Sequence, residues 1–442
     1  MSVDFKITGK ILLPNDIQYG TIFIKNKKIF KISENENAYK AEKSLILSNE
    51  IIFPGLIDVH AHLRDCDLSY KEDFSSGTLA AAAGGYTTIF DMPNTVPYTN
   101  TASLLNEKMT KAQKLIHVNV GFFSGIPEKF EELKTIKQQG PVGFKLYPEL
   151  KDQPFDFNDE KKLNEFLEEF KDINSILAIH PEEAGLKNVE NKLIKSGLID
   201  EEAYFEAHNS NSETIIIKKF LKFIQNKSIK VHICHLTSLD SLKIIQNEKK
   251  YINLSCEVTP HHLFLHKKEV FKQGTIAKML PPLRGKDKLT FEFIIKSKIV
   301  DMIATDHAPH TFDEKSRSFL TAPSGIVGLE TSLKILLTET KKINGNLIEL
   351  SKLTSENPAT RFQIKHKGKI KEGYDADFVI IDLKKQGKIK GDSFFSKAKF
   401  TPFENYDYIG APIITIIGGQ ILMKDNELQT SEKLGEIVKI NE

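Results

Sequence analysis

Two histidines one residue apart, followed closely by an arginine, offer the first chemistry along this chain: Pro54-Gly55-Leu56-Ile57-Asp58-Val59-His60-Ala61-His62-Leu63-Arg64. Alternate side chains of an extended strand share a face, so His60 and His62 point the same way and can grip one metal ion. Arg64 then falls just past the strand end. A His-x-His pair alone arises by chance in ordinary strands, so the weight comes from the rest of the chain. Later apolar segments end in Asp91-Met92-Pro93-Asn94, in Lys145, in His180, in His235 and in Asp306. Four histidines, a carboxylate and a lysine suit two divalent ions of the zinc type, with room for a bridging hydroxide. Lys145 is the odd member, because an ammonium repels cations. Either it is a structural surface lysine, or it has reacted with carbon dioxide to give an anionic carbamate with one oxygen for each ion.

These groups need elements to carry them. Eight apolar runs have the length of buried strands: Leu56 to His62, Thr87 to Met92, Val118 to Phe123, Val142 to Tyr147, Ile176 to His180, Lys230 to His235, Ile252 to Val258 and Val300 to Asp306. Between them lie helical patterns such as Asp159 to Phe170, with the amphipathic period. Strands alternating with helices predict a parallel sheet, and eight such units favour a closed (β/α)8 barrel of the TIM type over an open doubly wound sheet. A barrel gathers its functional groups where strands end and the following loops begin. Six of the eight runs end in groups able to bind metal or substrate. Residues 1–52 read instead as short alternating strands, for example Lys28-Ile29-Phe30-Lys31-Ile32, and the same texture returns in Asp377-Phe378-Val379-Ile380-Ile381-Asp382 and beyond. The expectation is a small β domain from residues 1–52 and 364–442, with the barrel over residues 53–363.

Composition narrows the function classes. The chain has 442 residues and a formal net charge of +2 from 61 basic and 59 acidic groups, so no global field draws it to nucleic acid or an anionic membrane. The lysines between Lys384 and Lys390 read as solvated surface. Three cysteines, Cys66, Cys234 and Cys256, show no paired spacing, which suits a reducing compartment. Neither a signal core nor a run of about eighteen apolar residues occurs, so the expectation is a soluble cytoplasmic protein.

The motifs taken together resemble the dihydroorotases of the amidohydrolase superfamily, in their lysine-containing form. The resemblance rests on the segment from Pro54 to Arg64, Asp91-Met92-Pro93-Asn94-Thr95, Gly143-Phe144-Lys145-Leu146-Tyr147, His232-Ile233-Cys234-His235, Glu257-Val258-Thr259-Pro260-His261-His262, Thr305-Asp306-His307-Ala308-Pro309-His310 and the run from Ala322 to Thr331. The first histidine pair and the final aspartate are common to the whole superfamily. His-x-His-Leu-Arg with Met-Pro-Asn-Thr and Asp-His-Ala-Pro-His is narrower. The resemblance implies that His60 and His62 bind a first zinc-type ion, completed by Asp306, and that His180 and His235 bind a second, with carboxylated Lys145 bridging. It also implies that Arg64, Asn94 and His310 hold a substrate carboxylate, for which a guanidinium is chemically apt. The implied reaction is the reversible cyclisation of N-carbamoyl-L-aspartate to L-dihydroorotate in pyrimidine biosynthesis, with Asp306 as base and then acid. It leaves room for a homo-oligomer and for association with aspartate transcarbamoylase.

Three features depart from the family pattern. Pro181 follows His180 and restricts the backbone of that ligand. Leu280 precedes Pro281-Pro282-Leu283-Arg284 where a polar substrate-binding residue is usual. Tyr147-Pro148-Glu149-Leu150 differs from the usual loop after the lysine. His261 and His262 read equally well as structural groups, and His117, His208, His266 and His366 as surface or packing residues. Cys234 reads as a small buried residue, although with Glu257 it leaves a further metal position open. The rival functions are another cyclic amidase, of the allantoinase or dihydropyrimidinase type, and a non-catalytic scaffold for a pyrimidine-pathway enzyme. A ring without a carboxylate has little use for Arg64, and a scaffold has little use for a full set of ligands.

Overall fold

The computed structural model describes residues 2–149, 154–183 and 185–440. Eight parallel strands follow one another in chain order around a nearly closed barrel: Leu56–Ala61, Tyr86–Asp91, Asn119–Gly125, Gly143–Leu146, Ile176–Ile179, Lys230–Ile233, Leu254–Val258 and Met302–Ile303. Nearly all their residues are buried, as the unbroken apolar runs require for strands covered on both faces. Helices cover the outside. In the helix Glu160–Phe170, Leu163, Phe166, Leu167 and Phe170 face inward, and the Asp159 side chain caps its start by accepting from Lys162 N. Ile57, Val59, Phe90, Phe123, Met302 and Phe362 pack together as one of the buried apolar clusters.

The eighth strand is shorter than its sequence suggests. Asp306 stands at φ 45°, outside the extended region, so the ladder stops at Ile303. The seam between eighth and first strands is instead held by a bridge between Ala61 and His307, by His62 N donating to His307 O (2.8 Å), and by Asp58. The Asp58 carboxylate accepts from Thr305 N at 2.9 Å and from the Thr305 hydroxyl.

A second sheet of eight strands draws on both ends of the chain. Its centre pairs Lys40–Pro54 with Phe378–Lys388 in antiparallel register and with Ser2–Leu12 in parallel. Phe5, Ile7, Ile22, Ile24, Phe378 and Ile380 fill one of its faces. Phe53, Ile381 and Ile417 join the cluster that runs into the barrel's helices. The strand Lys40–Pro54 leads straight into the first barrel strand through Gly55, where a Cβ would lie 2.1 Å from the Thr87 hydroxyl. The sheet thus fixes the direction in which His60 and His62 enter the barrel. Among the described residues no helix is long and apolar enough to cross a membrane.

Candidate active site

His60, His62, Lys145, His180, His235 and Asp306 converge at the end of the barrel where the strands finish. Neighbouring rings stand 5.3 Å apart for His60 and His62, 5.2 Å for His60 and His235, and 4.5 Å for His180 and His235. Asp306 Oδ1 lies 3.1 Å from His62 Nε2 and 3.4 Å from His60 Nε2. His180 Nδ1 and His235 Nε2 face each other at 2.8 Å. Each of the first pair has its other nitrogen tied down. His60 Nδ1 donates to Glu257 Oε1 (2.5 Å) and His62 Nδ1 donates to Asn94 Oδ1 (2.7 Å), which turns both Nε2 lone pairs toward Asp306. Asp306 and His235 adopt positive φ, 45° and 31°, so two of the six side chains are aimed from backbone conformations that non-glycine residues rarely take.

The electrostatics suit cation binding. Burial holds His60 below the ordinary imidazole range, and it holds His62, His180 and His235 well below, helped at His62 by the Arg64 charge and at His180 by Lys145. Neutral imidazole is the form that ligates metal. Burial pushes the Asp306 carboxyl up to about 6 against the pull of His60 and Lys145. Two ring nitrogens, His180 Nε2 and His235 Nδ1, are buried without a hydrogen-bond partner. His60, His235 and Asp306 each present a ligating atom within 4.8 Å of the others, and so do His60, Cys234 and Glu257. Lys145 is wholly buried, with its Nζ 2.7 Å from Cys234 Sγ and 5.1 Å from the centre of the Tyr147 ring. The surface-lysine alternative for Lys145 is therefore removed. The donor set of imidazoles and a carboxylate fits divalent ions of the zinc type.

Beside this cluster lies a cationic corner. Arg64, at φ 59°, donates from Nε to Pro309 O (3.2 Å), and its Nη2 stands 3.2 Å from His310 Nε2. The charge of Arg64 also acts on Asp306 and His62. The segment behind His310 turns on Gly325 at φ 153°, where a Cβ would come within 2.4 Å of Ala308 O. Asn94 reaches the site through His62 rather than through the Arg64 corner. A cavity of about 660 Å³, lined in part by Glu149, Tyr204, His208, Lys278, Leu280 and Ser324, opens beside the cluster. Leu280 makes one wall apolar.

Several neighbours carry roles that their sequence positions do not reveal. His232 Nε2 stands 2.9 Å from Glu257 Oε2, and its Nδ1 2.8 Å from Ser255 Oγ. Burial alone would raise the Glu257 carboxyl, but the facing His60 and His232 rings hold it well below the usual range. Of the two readings left open for His208, surface or packing, the structure shows packing. It is buried with Nδ1 2.9 Å from Glu182 Oε2, and the signal was Glu182 itself, two residues after His180. His180 keeps its place in the cluster despite Pro181, with its N donating to Leu146 O at 3.0 Å. Glu149 Oε1 lies 3.6 Å from His180 Nε2, and burial pushes this carboxyl up to about 8. His262 is held at both nitrogens, by Thr259 Oγ1 and by Pro281 O, as a structural group is. Leu150, the last residue of the departing loop, lies outside the described residues.

Residues 51–422 match the model of the amidohydrolase family. The chain is 39% identical to a dihydroorotase of Methanosphaera stadtmanae over 86% of this chain and 87% of that one. It is 35% identical to one of Methanothermobacter thermautotrophicus, over 92% and 91%, and 34% identical to one of Pyrococcus horikoshii, over 99% and 96%. Among solved structures, an L-hydantoinase (dihydropyrimidinase) from Arthrobacter aurescens superposes with a TM-score of 0.95 at 26% identity, covering 99% of this chain and 100% of the other. A dihydropyrimidinase from Brevibacillus agri, at TM-score 0.90 and 23% identity over 98% of both chains, shares the fold.

Proposed function

This chain belongs to the amidohydrolase family and, within it, to the dihydroorotases, and we propose that it interconverts N-carbamoyl-L-aspartate and L-dihydroorotate. One observation carries the choice among cyclic amides: the buried Arg64 guanidinium beside His310, whose charge acts on His62 and Asp306. Among the described residues no carboxylate hydrogen-bonds to Arg64, and a buried arginine so placed is suited to receive one from a ligand. Dihydroorotate brings that carboxylate, whereas hydantoin and dihydrouracil do not.

In this reading His60, His62 and Asp306 would hold one zinc-type ion and His180 and His235 a second, and Lys145, as a carbamate, would supply anionic oxygen ligands to them. When bound, such ions lower the pKa of a shared water and polarise the ring carbonyl. Arg64, His310 and Asn94 fix the substrate so that its carbonyl faces Asp306. Asp306 accepts the proton released as water adds to the carbonyl carbon, and returns it to the ring nitrogen as the carbon–nitrogen bond breaks. In the biosynthetic direction Asp306 takes a proton from the carbamoyl nitrogen as it closes on the carboxyl carbon, and gives it to the departing water. Glu257 keeps the Nε2 face of His60 free throughout by holding its Nδ1 proton. The setting is cytoplasmic, where Cys66, Cys234 and Cys256 stay unpaired.

The deciding assay supplies zinc and bicarbonate and compares dihydroorotate, allantoin and dihydrouracil, before and after chelation. Chelator-sensitive turnover of dihydroorotate alone is expected. Turnover of dihydrouracil in preference would favour the hydantoinase-type reading that the fold likeness keeps in view. Binding of metal with no turnover of any ring would favour a scaffold, such as a partner of aspartate transcarbamoylase.

A further inference from the structure

His310 is gripped from three sides, and the grip decides where its proton sits. On one side Lys71 Nζ lies 3.3 Å from Nδ1. On the other, Nε2 lies 3.0 Å from Ser324 O and 3.2 Å from Arg64 Nη2. Glu314 also faces the ring, with Oε2 3.6 Å from Nδ1, but that carboxylate pairs with Lys71 Nζ at 2.8 Å. An ammonium has only donors, so a proton on Nδ1 would point at it. The same tautomer would set the Nε2 lone pair against the Ser324 carbonyl. The opposite tautomer satisfies two of the three close contacts, Lys71 donating to Nδ1 and Nε2–H donating toward Ser324 O, and leaves Arg64 Nη2 beside that N–H with no hydrogen bond between the two donors. Two neighbouring cations also keep the ring neutral, since burial and then Arg64 and Lys71 hold the imidazole far below its ordinary range.

We infer that Lys71 is a positioning residue for substrate recognition, whose ammonium locks His310 in the Nε2–H tautomer so that this N–H, held toward Ser324 O in the free enzyme, is shared with a substrate carboxylate that the Arg64 guanidinium meets beside it. The inference rests on the carboxylate-binding role proposed for Arg64. Arg64 Nη2 and the Nε2–H stand close enough to share one carboxylate oxygen. Lys71 itself stays behind the ring. Its side chain is only 12% exposed and is braced by Glu314, which the capping box at Thr311 holds at the start of a short helix. Without Lys71 the ring is free to carry its proton on Nδ1 toward Glu314. It would then offer the substrate a lone pair instead of a proton, which repels a carboxylate oxygen.

The test uses the zinc-loaded enzyme with Lys71→Met and Lys71→Arg, together with nitrogen-15 spectra of histidine-labelled protein in which His310→Gln identifies the signal. The wild-type ring should show a proton on Nε2 and none on Nδ1, and Lys71→Met should shift it toward the other tautomer. Lys71→Met should raise KM for dihydroorotate about tenfold while kcat stays within about twofold, because the lost interaction is one of binding. Lys71→Arg, which restores a donor, should recover most of the KM. A wild-type proton on Nδ1 would overturn the inference. So would a Lys71→Met variant with unchanged KM, or one in which kcat falls with KM and arginine gives no rescue. If the spectra show the Lys71-dependent tautomer but dihydroorotate is not turned over, the positioning stands and the dihydroorotase reading fails.

Discussion

Asp306 combines more constraints than any other residue at the barrel mouth. Its backbone leaves the extended region, its carboxyl is buried among imidazoles, and its Oδ1 reaches two of them. A group that both ligates a cation and moves a proton should separate the two duties under a conservative change. Asp306→Asn keeps a ligating oxygen and the shape but has no useful basicity. It should retain metal, measured by elemental analysis, and lose turnover in both directions by about a thousandfold or more. Ordinary activity in that variant would remove Asp306 from the proton path. The local reading of Asn94 also changes at this scale. Its side-chain oxygen is occupied by His62 Nδ1, so whatever it offers a substrate comes from the remainder of the amide.

At the scale of elements, the seam between the eighth and first barrel strands is the weak join. The eighth strand contributes two residues to its ladder, and beyond them the seam relies on the bridge between Ala61 and His307 with its His62 N to His307 O bond, on Asp306 against His60 and His62, and on the buried Asp58 carboxylate. Asp58 accepts from Thr305 N, from the Thr305 hydroxyl and from His60 N (3.2 Å), so it ties the strand carrying His60 and His62 to the strand carrying Asp306. Burial pushes its carboxyl up to about 7. The Thr305 hydroxyl in turn accepts from His307 N at 3.0 Å. Thr305→Val keeps the shape and removes both hydroxyl bonds, leaving part of the Asp58 carboxylate unsatisfied. A loss of about 1–3 kcal/mol in urea unfolding is expected. A change within error would mean that the bridge at Ala61 and His307 closes the barrel unaided.

For the whole molecule, the chain ends fasten what the barrel begins. Ile437–Val438 pairs in parallel with the third barrel strand, and Glu436 N donates to Asn119 Oδ1 at 3.1 Å. A few residues earlier Lys433 Nζ donates to His117 Nε2 at 2.6 Å. His117 is buried, and burial followed by Lys433 lowers its pKa to about 4. In the unfolded chain it titrates near 6.5. Between those values the unfolded chain takes up a proton that the folded protein refuses, so stability falls as the pH drops from about 6.5 toward 4. His117→Gln keeps an acceptor for Lys433 without the titration. Melting temperatures taken from pH 7.5 to 4.5 should therefore decline less steeply in the variant than in the wild type. Equal slopes would show that His117 takes up its proton in the folded state.

How much of this was legible along the chain depends on the range of the interaction concerned. The eight strands could be read because apolar runs and helical periods are local, and the convergence of His60, His62, Lys145, His180, His235 and Asp306 came from their position at strand ends, once a barrel was assumed. The early end of the eighth strand could not be read, since the positive φ at Asp306 and the contacts of His307 with the first strand lie outside any local pattern. Partners across the fold were also hidden. Glu257 meets His60 across 197 positions, Lys71 meets His310 across 239, and Asp58 meets Thr305 across 247. The sequence by itself determined which groups can ligate or carry a proton, because that chemistry belongs to each residue. Only the tertiary structure decided which nitrogen of each imidazole is free, because a tautomer is set by the neighbour that folding places beside it.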